Sequence, residues 1–243
     1  MNPINNSVGR LFNILRQFQK NASGKNETLA SIIGKVFSID HNNPSQTLQI
    51  QLELIHLIKV SKEEVLKLPS TSHNLHLRAL QKIETAFSVH HLHSNWVSFS
   101  EYLDPATMTS LEHTADNLSY SGEQIISEDE LEELKNQVDE LLEAVLKMDV
   151  NSKLKAFLLE QINKISQAIL YYRINGARGL RNALEQMMGA SAIFTKESPN
   201  EQMPEDIKPK FTSMFWLLVK LVAFANDIKG LTGVDLLKLP GIL

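Results

Sequence analysis

The stretch SEDELEELKNQVDELLEAVLKMDVNSKLKAFLLEQINKISQAILYY, residues 127–172, decides the fold. It opens on a capping box, in which the Ser127 hydroxyl can accept from the third helical amide while Glu130 reaches back to the serine N–H. Acids at 128–130 suit the positive end of the helix dipole. From there Leu131, Leu134, Val138, Leu141, Val145 and Met148 recur three and four apart, laying one apolar seam along a helix. Asp149, Val150 and Asn151 read as a short turn. A second seam follows in Leu154, Leu158, Ile162, Ile165, Ile169 and Tyr172. Two helices so closely linked are predicted to pack antiparallel, as a long hairpin over about 128–175.

Toward the C-terminus the hairpin meets YYRINGARGLR, residues 171–181, where Gly176 and Gly179 sit among Arg173, Arg178 and Arg181. A Gly-x-x-Gly loop between helices also clamps nucleic acid in the K-homology fold, but that fold needs short helices bracketed by strands, and no strand precedes this one. The simpler reading is a helical corner. Asn175-Gly176 supplies the left-handed residue, and Arg173 sits in a last turn where its charge suits the dipole. Arg173, Arg178 and Arg181 stay as a weak candidate anion site, with the acids of 128–143 as their intramolecular partners. A further helix through Leu180, Leu184 and Met188 is predicted to end near Gly189. Pro199, Pro204 and Pro209 then impose a loop. A last, strongly apolar helix runs from about Phe211 to Lys229 and closes at Gly230.

Toward the N-terminus, helical spacing recurs in Val8, Leu11, Phe12 and Leu15, then in Leu29, Ile32, Ile33 and Val36. Asn43-Pro44 caps and starts a third helix, whose buried face is predicted to carry Leu48, Leu52 and Ile55. Leu80, Ile83 and Phe87 mark a fourth. Asp104-Pro105 opens a fifth, with Met108, Leu111, Ala115 and Leu118 inward. No segment alternates for long enough to need a strand. The fold class is therefore all-α, a helical bundle, divided at the acidic 121–133 segment into an N-terminal region 1–122 and a C-terminal region 123–243, or continuous across it.

Composition narrows function. The 243 residues carry 24 lysines and arginines against 28 acids, so no strong field favours nucleic acid. There is no cysteine, which removes disulfides, thiolate metal sites and a cysteine nucleophile, and suits the cytoplasm. The first residues lack the pattern of a secretory signal. Nucleotide loops, Gly-x-Gly-x-x-Gly and Gly-x-Ser-x-Gly are missing, so no catalytic residue and no cofactor is assigned. The histidines cluster before residue 114, notably His73, His76, His90, His91 and His93. They lack a metalloprotease pattern, and the single Glu53-x-x-His56 is half of what a di-iron bundle needs, so no metal ligand is assigned.

Function is then expected from apolar surface. In the last helix Phe211, Phe215, Leu218, Val222 and Ala225 form one face, with Ser213, Lys220 and Asp227 as a narrow polar stripe. Its apolar run is shorter than the ~20 residues a bilayer span needs. The tail LTGVDLLKLPGIL also ends apolar. The leading expectation is a non-catalytic interaction or adaptor subunit. It would bind a protein partner, or itself as a homo-oligomer, through Phe215, Trp216, Lys220, Leu237, Leu239, Ile242 and Leu243, oriented by rim charges. A membrane-active protein that releases 211–243 from a soluble form comes next, and a histidine-metal enzyme third.

Overall fold

The computed structural model describes residues 5–24, 26–69, 73–89, 92–118, 124–148 and 153–225. Among these residues the chain forms eleven α-helices and no strand, with an isolated antiparallel bridge between Thr28 and Asn95. The protein is an all-α helical bundle. It divides into two compact units: Met1–Gly122 together with Arg173–Gly176, and Glu123–Tyr172 together with Ala177–Leu243.

The first unit holds α1 (Ser7–Asn21), α2 (Leu29–Phe37), α3 (Pro44–Leu66), α4 (His73–Val89), α5 (Trp96–Ser100) and α6 (Pro105–Asn117). Side chains start the helices. Asn6, Thr28, Asn43 and Asp104 each accept from an amide of the following first turn, and such a cap contributes about 1 kcal/mol. Helix α1 packs against α2, α3 and α6, burying Val8, Leu11, Phe12 and Leu15 as their spacing requires, together with Ile14 and Phe18. Its start is tied down by Asn6 Nδ2 donating to Ala115 O at 2.7 Å and Ser7 Oγ donating to Glu64 at 2.5 Å. The predicted inward faces of α2, α4 and α6 are likewise buried. Helix α5 is too short to show a period in sequence. Its Trp96 and Phe99 stack at 5.6 Å, and Phe99 meets Phe87 edge-on at 5.0 Å.

Helix α3 reverses the expectation made for it. Leu48 and Leu52 are 49% and 52% exposed, and Ile55 is half-buried. The buried face is instead Thr47, Ile50, Gln51, Leu54, Leu57, Ile58, Ser61 and Val65. Two of its polar members are satisfied inside. Thr47 Oγ1 donates to the carbonyls of Asn43 and Pro44, and Gln51 Nε2 donates to Phe87 O at 3.1 Å.

Gly34 marks the tightest backbone approach in this unit. Helix α2 ends at Ser38, whose φ of 55° is left-handed, and the chain folds back so that a Cβ on Gly34 would lie 2.7 Å from His41 Cβ and 3.1 Å from Ile39 O. Neither is the free end of a flexible side chain. Gly34→Ala should therefore destabilise by roughly 1–2 kcal/mol, within the usual range for an overpacked methyl. Urea unfolding checks it, and an unchanged midpoint would show that the 38–41 turn yields freely.

The second unit holds α7 (Glu128–Lys147), α8 (Lys153–Leu170), α10 (Ala177–Glu197) and α11 (Lys208–Ala225); of the single turn α9 (Tyr172–Asn175) it holds Tyr172, the rest belonging to the first unit. The capping box forms, with Ser127 Oγ accepting from Glu130 N and Glu130 accepting from Ser127 N at 3.0 Å. Leu134, Val138, Leu141 and Val145 are buried, as are Leu154, Leu158, Ile162 and Ile165. Helix α8 packs on α7 and α10, and α11 also packs on α7 and α10. The Asp149–Asn151 turn lies outside the described residues. Beside it Lys155 Nζ donates to Leu146 O and Met148 O, satisfying carbonyls at the end of α7.

Two boundaries differ from expectation. Helix α10 does not stop near Gly189 but continues to Glu197, because packing overrides the glycine: Phe194 stacks on Phe157 with centroids 4.6 Å apart. Helix α11 starts at Lys208, three residues early, since Pro209 is tolerated in a first turn. Its expected end at Lys229 and Gly230 lies outside the described residues. No helix among the described residues is long and apolar enough to cross a membrane.

Candidate functional site

The arginine corner is structural. Gly176 takes φ 61°, the left-handed turn the corner needs. The four residues before α10 belong to the first unit, where three of them carry a specific contact. Arg173 donates to Val36 O at 3.2 Å, in the last turn of α2, where a cation complements unsatisfied carbonyls. Asn175 Nδ2 donates to Glu53 Oε2 at 3.0 Å, and Ile174, fully buried, accepts from Arg10 Nε at 3.0 Å. Arg181 pairs with Glu185 on its own helix at 2.8 Å rather than with the acidic α7. The acids of α7 meet Lys135, Lys147 and Lys210 instead. Arg178 is exposed. Arg173 and Arg181 are thus engaged separately, and an exposed pair such as Arg181–Glu185 contributes little.

The histidines are similarly dispersed. His73 Nε2 lies 2.8 Å from Leu68 O, while His41, His56, His93 and His113 are exposed. His90 and His91 lie outside the described residues. Thr114 Oγ1 donates to Ser110 O at 2.7 Å and lies 3.0 Å from His76 Nδ1. His76 and His113 border an open hollow of about 580 Å³ with Leu75, Pro105, Ala106, Thr109 and Ser110. Among the described residues no three histidines or carboxylates gather as metal ligands. Glu53 of the Glu53-x-x-His56 pair is occupied by Asn175 and Gln49.

Of the candidate partner-binding residues, Phe215 is 2% exposed and sits in the core of the second unit. It contacts Phe211, at 6.5 Å between centroids, and Trp216, at 5.7 Å. Placing it on a binding surface is corrected: its payload is spent on folding. Trp216 is half-buried and Lys220 exposed. The polar stripe faces outward as expected, Ser213 Oγ donating to Gln137 Oε1 at 3.1 Å. Asp227 of that stripe, and Leu237, Leu239, Ile242 and Leu243 of the tail, lie outside the described residues. The Ser127 amide and hydroxyl, and behind them the Lys220 ammonium, hold Glu130 below its ordinary 4.5.

Among the exposed large hydrophobics, which also include Leu75, Leu146, Ile193 and Phe224, several stand in line along α3. Leu48, Leu52 and Ile55 stand at i, i+4 and i+7, and Leu66, also exposed, continues the line after Lys59 and Lys62. That spacing matches the anchors by which one helix packs on another. Sequence periodicity found these residues but put them on the wrong side. The chain matches no protein-family model, and neither curated proteins nor solved structures give a match to it.

Proposed function

We infer that this is a non-catalytic helical interaction subunit of the cytoplasm, which binds a protein partner by covering the apolar ridge of α3, with the apolar tail beyond residue 225 as a second contact. One observation carries the reading: α3 hides Thr47, Gln51 and Ser61 while Leu48 and Leu52 stand half in water. Covering each leucine contributes roughly 1 kcal/mol at the usual value for apolar area, and helical spacing favours a partner that presents a helix. The exposed Lys59 and Glu63 beside the ridge would set orientation.

The membrane-release alternative fares worse on energy. Freeing α11 would expose ten buried residues, including Phe211, Met214, Phe215 and Leu218, at a cost on the order of 15 kcal/mol, comparable to the whole stability of a domain.

The test uses the untagged full chain, a Leu48→Glu/Leu52→Glu variant and a chain ending at residue 225. Each is measured by light scattering and by capture of partners from extracts of the source cell. Both leucines are exposed, so the double variant should keep the wild-type melting temperature and lose bound partner by at least tenfold. If wild type is a dimer and the variant a monomer, the partner is a second copy. Equal capture by all three forms would remove both contacts from consideration.

A further inference from the structure

We propose that the end of α10, from Gly189 to Glu197, is a flap that opens from α8 about Gly189. Gln161, on α8, is 1% exposed, and neither Nε2 nor Oε1 of its amide has a hydrogen-bond partner among the described residues. A buried amide left so is costly, and opening to water relieves it. Its position identifies the seam. The chain reverses between α8 and α10, and Phe157 stacks on Phe194 at the far end. Gln161 lies one turn along α8 from Phe157, on the face that meets α10 through the Phe157–Phe194 stack.

Gly189 is the second observation, and it is independent. It sits inside α10 with nothing beyond the local backbone of its own helix within 4 Å of where a Cβ would lie, so no close approach requires a glycine there. An unconstrained glycine within a helix weakens it. The helix is also anchored unevenly on its two sides. Before Gly189 it buries Ala177, Leu180, Ala183, Leu184 and Met187; after it, only Ser191 is buried, and Ile193 is exposed. Behind the flap, Leu154, Phe194, Thr195, Ser198, Pro199, Glu201 and Met203 line a small cavity of about 30 Å³. Opening would separate Phe194 from Phe157 and present both rings to solvent, while α7, α11 and the first part of α10 keep their core.

Amide hydrogen exchange on the full-length protein, read by mass spectrometry with peptide resolution, tests this. Amides of 190–197 should exchange at least tenfold faster than those of 180–188, with the step at Gly189 rather than a gradual rise toward the helix end. Gln161→Leu removes the buried amide and should slow exchange in 190–197 about tenfold. Gly189→Ala, which has room for its methyl, should slow it about threefold to fivefold. Both effects should be confined to that segment. Slowing confined to 190–197 in either variant supports the flap. A uniform rate along α10, a slowing spread evenly over 180–197, or no change in either variant would overturn it.

Discussion

Phe215→Ala should lower the stability of the second unit by about 3–5 kcal/mol, the usual cost of removing a buried phenyl ring. The ring lies among Met214, Leu218 and Val222 of its own buried helix and the seams of α7 and α10, in one continuous core. Truncation would forfeit its transfer free energy and leave a cavity that rigid helices close only in part. The chain reports on this conveniently, since its two tryptophans fall one to each unit: Trp96 buried in the first, Trp216 half-buried in the second. In a Trp96→Phe background, denaturant unfolding followed by Trp216 fluorescence should show the midpoint of Phe215→Ala falling sharply. A loss under about 1 kcal/mol would contradict the buried placement and return the residue to the list of partner contacts.

Glu27→Ala should cost the first unit about 1.5–3 kcal/mol, the range for hydrogen bonds to a charged group. The carboxylate clamps the link between α1 and α2. It accepts from Ser23 N at 2.8 Å and from Ser31 Oγ at 2.9 Å, and pairs with Lys35, whose ammonium also donates to Ser23 Oγ. Burial pushes its pKa up, but the Lys35 ammonium, the Ser23 amide and the Ser31 hydroxyl outweigh that and bring it from 4.5 down to about 2. Asp104, held by Lys82 and by the Thr107 amide that it caps, falls from 3.8 to about 2. Both groups bind protons more weakly when folded. Their stabilisation is complete above the unfolded values near 4–4.5 and is lost as pH falls toward 2. Trp96 lies close enough to follow it, because its backbone N–H donates to the backbone carbonyl of Glu27 at 2.7 Å. Melting temperature should drop between pH 4.5 and 2 in the wild type and drop less steeply in Glu27→Gln. Parallel pH profiles for the two would mean that Glu27 is not the group being titrated.

Much of the fold was legible in the sequence, and the exceptions have definite causes. Val8, Leu11, Phe12 and Leu15 allow only one inward face, as do Leu134, Val138, Leu141 and Val145, so period alone placed them. Helix α3 carries apolar residues on two sides, Leu48, Leu52 and Ile55 against Ile50, Leu54, Leu57 and Ile58. Period cannot choose between them. The buried side is the one whose Gln51 amide finds Phe87 O, a partner 36 residues away that no local pattern displays. Phe194 extends α10 past Gly189 for the same kind of reason. The roles of Arg173 and Asn175 depend on Val36 and Glu53, 137 and 122 residues away. Local spacing correctly suggested a corner there, but it could not say that the corner would be built into the first unit.

That corner bears on how the chain matures. Residues 173–176 complete the first unit only after α7 and α8 have been made, about 50 residues beyond Gly122. At a synthesis rate of roughly 5–20 residues per second, the half-made first unit waits several seconds on the ribosome with Val36 O, Glu53 and Arg10 still lacking their final partners. The two units are thus interlaced in time as well as in sequence. No single cleavage point yields both of them whole, and a fragment ending at residue 122 lacks the four residues 173–176 that the first unit includes.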